Sequence, residues 1–179
     1  TKGSRVLRVS LRGNESVNSV RLRWLMERHR QNLLPCVYEA SRRWLSYDVQ
    51  GLTSLRRYVR HTELSYDALA RILMGVTEAV SSCVAGGSRC YHLLNDPSYV
   101  FMGTTCEPHL VLLPVDGVAS LADKSPFESL ALLCDAARVR YASPDAAELA
   151  RRLGDFVLAQ DEMLSTNALR HFVRSECCE

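Results

Sequence analysis

The run from Ser65 to Gly87 constrains this chain more than any other segment. Ser65 stands where a helix needs an N-cap, and Asp67 puts a carboxylate in the first turn, where the helix dipole favours it. Leu69, Ile72, Leu73, Val76, Ala79, Val80, Cys83 and Val84 then recur at helical spacing. The stripe lasts about five turns, and Gly86-Gly87 ends it at a C′-like position. A helix so apolar has to be covered, so the rest of the chain is expected to wrap around it. The stripe is read as core, not as the lining of a cofactor site. With 179 residues, 47% apolar and 23% charged, the chain has an ordinary globular balance. It can bury roughly 70% of its unfolded surface and needs no disulfides to fold.

Shorter signals surround the helix. Arg5 to Arg12 alternates, with Leu7, Val9 and Leu11 on one face, and reads as a half-buried strand broken by Gly13-Asn14. Val20 to His29 reads as a basic helix, and Leu33-Leu34-Pro35 as extended chain. Cys36 to Ala40 and Trp44 to Val49 predict a hairpin around Ser41-Arg42-Arg43. Thr53 to Arg60 reads as a short helix with Leu55, Tyr58 and Val59 inward. Beyond the long helix, Tyr99 to Met102 and His109 to Val115 predict a second hairpin that Asp116-Gly117 ends. Three helices follow: one opened by the Ser125-Pro126-Phe127-Glu128 capping box, one from Ser143-Pro144 to about Gln160, and one capped by Ser165 or Thr166. The expected class is α+β, in one domain over residues 1–179. Its first part, 1–50, would be a small antiparallel sheet with one helix. The second part, 51–179, would be mainly helical with one hairpin. The first sheet is expected to pack on the long helix and the second hairpin.

Charge is unevenly placed. Residues 1–60 hold 13 Lys and Arg against 4 Asp and Glu, a net of +9; residues 61–179 hold 9 against 16, a net of −7. All but Lys2 and Lys124 of the basic residues are Arg. One reading makes Arg5, Arg8, Arg12, Arg21, Arg23, Arg28 and Arg30 a face for nucleic acid or anionic lipid, with affinity falling steeply in salt. The other sets the two halves against each other, and the absence of an aromatic-interleaved basic stripe favours it. The seven cysteines follow no disulfide-scaffold spacing and are read as reduced, cytoplasmic thiols. Cys83 and Cys134 lie among apolar residues, and Cys177-Cys178 reads as a frayed tail. Zinc would use Cys90, His92, Cys106 and His109, but the Cys-x2–4-Cys knuckle of structural sites is missing. No apolar run approaches the ~18 residues that span a bilayer, and Thr1 opens no secretory signal. The chain, stopping at Glu179, is read as a piece of something longer.

Few residues carry chemistry. Asp96, Asp116, His92 and His109 fall in one loop-and-hairpin region, but Asp96-Pro97 and Asp116-Gly117 also read as turns. There is no Gly-x-Ser-x-Gly elbow and no His-Glu-x-x-His helix. A small-molecule sensor with a residual cleft stays open as a further class.

The element order resembles an eroded protein kinase: sheet and helix, a hinge near Asp48 to Gly51, a short helix, a long helix, a loop, a hairpin and further helices. His92-Leu93-Leu94-Asn95-Asp96-Pro97-Ser98-Tyr99-Val100-Phe101-Met102 is similar to a kinase catalytic loop in length and in the place of its Pro. Leu110-Val111-Leu112-Leu113 is similar to the strand before the metal-binding Asp-Phe-Gly. The catalytic Asp is matched by Leu94, the metal-binding Asn by Tyr99, and the start of Asp-Phe-Gly by Pro114, with Asp116-Gly117 offset by two. No Gly-x-Gly-x-x-Gly occurs, and no Lys falls on a strand of the first sheet. Leu33-Leu34-Pro35, the segment from Trp44 to Leu55 and Leu94 to Val100 also resemble a bacterial family of unknown function that precedes forkhead-associated (FHA) domains. Its layout is similar to the EssB-like pseudokinase domain of type VII secretion. The resemblance implies a non-catalytic, cytoplasmic interaction domain of a signalling protein, with no cofactor and no catalytic, cofactor-binding or metal residues. Its partner would be another protein; phosphothreonine would be read only by an FHA domain outside these residues. The alternatives are the cytosolic domain of a secretion component, or the Arg-rich binder above.

Overall fold

The computed structural model describes residues 5–27, 32–86, 92–94, 96–117, 128–159 and 165–177. Along them run β1 (Val6–Ser10), β2 (Ser16–Val17), α1 (Ser19–Glu27), β3 (Cys36–Glu39), β4 (Trp44–Asp48), β5 (Thr53–Ser54), α2 (Leu55–His61) and α3 (Tyr66–Ala85). After these come β6 (Leu93–Leu94), β7 (Val100–Met102), β8 (Pro108–Leu112), β9 (Val115–Asp116), α4 (Glu128–Leu133), α5 (Pro144–Ala159) and α6 (Thr166–Cys177). The class is α+β, with small antiparallel sheets and helices.

The first sheet has the order β1-β4-β3. Alternation sets its register: Leu7 pairs with Tyr47 and Val9 with Leu45 on the inner side. Outside, Arg8 and Arg42 lie 5.3 and 5.2 Å from the Trp44 ring centre. Tyr47 is fully buried and donates its hydroxyl to Leu112 O at 2.8 Å, which joins this sheet to the second hairpin as expected. Burial pushes the Tyr47 phenol well above its ordinary pKa and the Cys36 thiol beside it to about 11.

α3 is the spine. Ser65 Oγ accepts from Ala68 N at 3.1 Å, the cap its sequence predicts. Leu69, Ile72, Leu73, Val76, Ala79, Val80 and Cys83 are buried. The exception is Val84, which lies exposed in the last turn. Contrary to the expectation that no run approaches spanning length, α3 is long and apolar enough to cross a membrane by length and composition, and 61% of its most apolar window is buried inside the fold. Two glycines set close approaches. A Cβ on Gly75 would stand 2.5 Å from the Pro108 ring of β8, and one on Gly86 2.4 Å from the Trp24 ring of α1. β8 and α1 thus press directly on the helix. α6 packs along it as well, and the stacked rings of Phe156 and Phe172, 4.6 Å apart, tie α5 to α6.

Several expectations need correction. Thr53-Ser54 is not helix: it pairs with Met102 and Phe101 as the edge of the sheet β5-β7-β8-β6, and α2 starts only at Leu55. The strand expected from His109 to Val115 stops at Leu112, because Pro114 has no N–H to continue a ladder. Val115-Asp116 instead pairs with Val17 and Ser16 as a separate ribbon. Asp116 is therefore strand, not turn. Gly117 follows at φ +84° with Asn14 O beside it, a conformation that favours glycine. Ser143 and Ser165 cap α5 and α6, accepting from Ala146 N and Ala168 N at 3.2 and 3.0 Å, so Ser165 rather than Thr166 is the cap. Cys177 is the last residue of α6 and packs partly buried on the core, not in a frayed tail. The Ser125–Glu128 capping box lies largely outside the described residues.

Candidate functional site

A polar cluster that ties three elements together lies where α1, β9 and His92, just before β6, meet. Asn18 builds its base. The Asn18 side-chain oxygen accepts from Arg21 N at 3.0 Å, an N-cap contact for α1, and its backbone N donates to Pro114 O at 2.8 Å. One turn into the helix, Arg21 points back over that cap. Its Nη1 donates to Asp116 Oδ1 at 2.8 Å and to Val115 O at 3.0 Å, and lies 3.2 Å from His92 Nε2. Asn18 Nδ2 donates to the other carboxylate oxygen, Asp116 Oδ2, at 2.9 Å. Both oxygens of Asp116 are thus held by donors from the N-terminal end of one helix. The Arg21 side chain is 18% exposed and that of Asp116 52%, so the cluster opens to water on the carboxylate side only.

His92 is buried, and its backbone O accepts from Leu113 N at 2.8 Å. For Arg21 to donate to Nε2, the ring has to carry its proton on Nδ1. A partly buried, charged Arg linked to carboxylate and carbonyl, with an imidazole beside it, makes a clamp between elements about 70 to 95 residues apart in sequence. It offers little chemistry: both carboxylate oxygens of Asp116 are engaged by donors, and the imidazole nitrogen lies against a guanidinium.

The remaining sequence candidates are dispersed. Asp96 Oδ1 accepts from Ser98 N at 2.7 Å and lies 3.5 Å from Arg56, so its carboxylate closes a local turn. Leu94 pairs with Val111 between β6 and β8, and Tyr99 is exposed ahead of β7. Pro114 is buried between β8 and β9. Of the zinc candidates, Cys90 lies outside the described residues. Cys106 Sγ is 3.1 Å from the Tyr58 hydroxyl, and His109 faces Glu107 at 3.8 Å. Among the described residues no three of His, Cys, Asp and Glu converge on one point. The Tyr58 phenol is raised to about 12, by burial first and by Cys106 second, and the Glu107 carboxyl is lowered, chiefly by the Thr105 hydroxyl.

The N-terminal arginines also divide. Arg21 faces inward, and Arg5 donates to Leu52 O at 3.2 Å. Arg8 lies over Trp44, and Arg23 reaches Glu27 on its own helix at 3.9 Å. Arg12 is exposed, with its backbone N bonded to Glu15 Oε2 at 2.7 Å; Arg28 and Arg30 lie outside the described residues. The Arg21–Asp116 pair is of the kind expected when the basic and acidic parts of the chain face each other, whereas Asn18 is a site residue that charge does not mark. The one local signal was Asn18 immediately before a helical pattern, an N-cap signature. No family model matches the chain, and no curated protein matches it.

Proposed function

We propose that the chain is a pseudokinase-like protein-interaction domain without phosphotransfer chemistry. The reading rests on the resemblance in motif order, and the Arg21 clamp is the observation that carries it. In phosphoryl transfer, carboxylates must be free to hold a metal and to accept a proton. Here Asp116, the acid nearest the expected metal position, is occupied by Arg21 and Asn18. The position matched to the catalytic Asp is Leu94, which carries no base. The polar side chains at this locus serve to fix α1 against β9, and a fixed helix suits a binding surface better than a catalytic cycle.

Melting with magnesium and ATP tests this. A ligand at 100 times its dissociation constant stabilises by about 2.7 kcal/mol, which moves the melting temperature of a domain this size by several degrees. The expected result at millimolar ATP is no shift; a clear rise overturns the reading.

A further inference from the structure

A groove of about 860 Å³ opens between α2 and the segment that follows α4. One wall carries Arg56 and Arg60, the other Arg138 and Arg140, and Val59 and Val139 lie buried in the floor. Among the described lining residues Asp135 is the acid, and that carboxylate is committed to its own turn. Its Oδ1 accepts from Ala137 N at 3.0 Å, and its Oδ2 lies 3.1 Å from Arg138 Nε. The turn is fixed further by Arg138 N and Val139 N, both donating to Asp135 O at 2.9 Å. Backbone bonds from Leu64 N to Arg140 O and from Ala142 N to Leu64 O hold the two walls together. The groove is therefore built before any ligand arrives, which lowers the ordering cost of binding.

Its charge is not balanced from within. α2 reads Leu-Arg-Arg-Tyr-Val-Arg-His and contains no acid. Arg56 and Arg60 stand four apart on it, a like-charge spacing that weakens a helix. Arg60 has no hydrogen bond or ion pair among the described residues. Arg56 reaches Asp96 only at 3.5 Å and Arg140 reaches Glu63 only at 3.7 Å, with both partners of each pair at least one-third exposed. Exposed pairs of that kind stabilise by roughly 0–1 kcal/mol, so a carboxylate entering the groove can displace them.

We infer that this groove binds an acidic, extended polypeptide segment of a partner protein. Arginine forks fit carboxylates in bidentate fashion, and the two opposed walls can grip acids projecting to both sides of an extended chain, whose side chains alternate. The volume lies within the ~300–1,000 Å³ of sites that enclose a whole small ligand, enough for a few residues. Among the described residues no aromatic ring lines the groove, so single-stranded nucleic acid would find no stacking platform on them. The inference rests on the interaction-domain reading and gives it a surface and a partner chemistry.

The test is fluorescence anisotropy with a labelled peptide of alternating Glu and Ala, against labelled oligouridylate. The peptide is expected to bind, with affinity falling as salt rises. Arg60→Ala combined with Arg140→Ala should weaken binding at least about tenfold, with this groove variant and wild type melting together because surface changes usually stay within ±0.5 kcal/mol. Arg151→Ala combined with Arg152→Ala removes equal charge from α5 and should leave peptide binding intact. No peptide binding, equal loss in the α5 variant, or tighter oligouridylate binding lost in the groove variant would overturn the inference. These outcomes leave the ATP experiment untouched, so failure of the groove is distinguishable from failure of the non-catalytic reading.

Discussion

Arg21 and Arg60 are both helical arginines, yet the fold treats them oppositely. Arg21 is mostly enclosed and joins Asp116, Val115 O and His92 across three elements. Arg60 stands in an open groove beside other arginines, with no ion-pair partner among the described residues. The difference lies in what surrounds each helix. α1 begins on β9, whose strand ends in Asp116, and a guanidinium leaving water there has to be met by charge and hydrogen bonds. α2 begins against β7, and among the described residues its outer face borders an open groove whose other wall carries Arg138 and Arg140. Net charge by halves, +9 against −7, distinguishes neither case: one cation is structural, the other available.

The largest effect expected nearby sets the scale. Leu73 is fully buried in α3, and Leu73→Ala should cost about 2–5 kcal/mol by chemical denaturation, through lost burial plus the cavity left behind. A variant as stable as wild type would show that α3 is not the spine. Arg21→Ala comes next, at about 1–3 kcal/mol, because it strips hydrogen bonds from the Asp116 carboxylate and from Val115 O and empties the space beside the buried His92 ring. Half-exposed Asp116 can rehydrate, which keeps the cost below that of the core variant. A loss under 0.5 kcal/mol would erase the distinction between Arg21 and the groove arginines.

Much of this frame is legible in the sequence, and the reason is locality. The α3 stripe and the Ser65, Ser143 and Ser165 caps each depend on residues within a few positions of one another, and the structure places a side-chain bond at all three caps. Both hairpins are legible for the same reason. β2, β5, β6 and β9 are two residues long, too short for alternation to register, and they exist only because a distant partner supplies the ladder. The Arg21 clamp is equally nonlocal: its partners lie 71 and 95 positions away, so nothing near Arg21 marks it as different from Arg23. Val84 fits the helical period but sits exposed at the end of α3, where a stripe continues in sequence after the core has stopped.

The smallest effect expected sharpens the contrast from the solvent side. On α5, Arg151 donates to both oxygens of Glu148 at 2.7 and 2.8 Å, and Arg152 adds a bond at 3.0 Å while reaching Glu176 of α6. These donors hold the Glu148 carboxyl down to about 2, with Arg151 the larger influence, against an ordinary value near ~4.3. A carboxyl whose pKa is lowered by folding stabilises the fold above its unfolded pKa and loses that contribution as pH falls toward the folded one. Glu148→Gln should therefore melt slightly below wild type at neutral pH, and the gap should close as pH drops from about 4 to 2. Because the group is surrounded by water, added salt at neutral pH should narrow the same gap. The Arg21→Ala deficit should survive that salt, since its partners are partly shielded from solvent. If salt closes both gaps alike, the enclosure of Arg21 has no electrostatic consequence; if it closes neither, Glu148 acts through packing rather than charge.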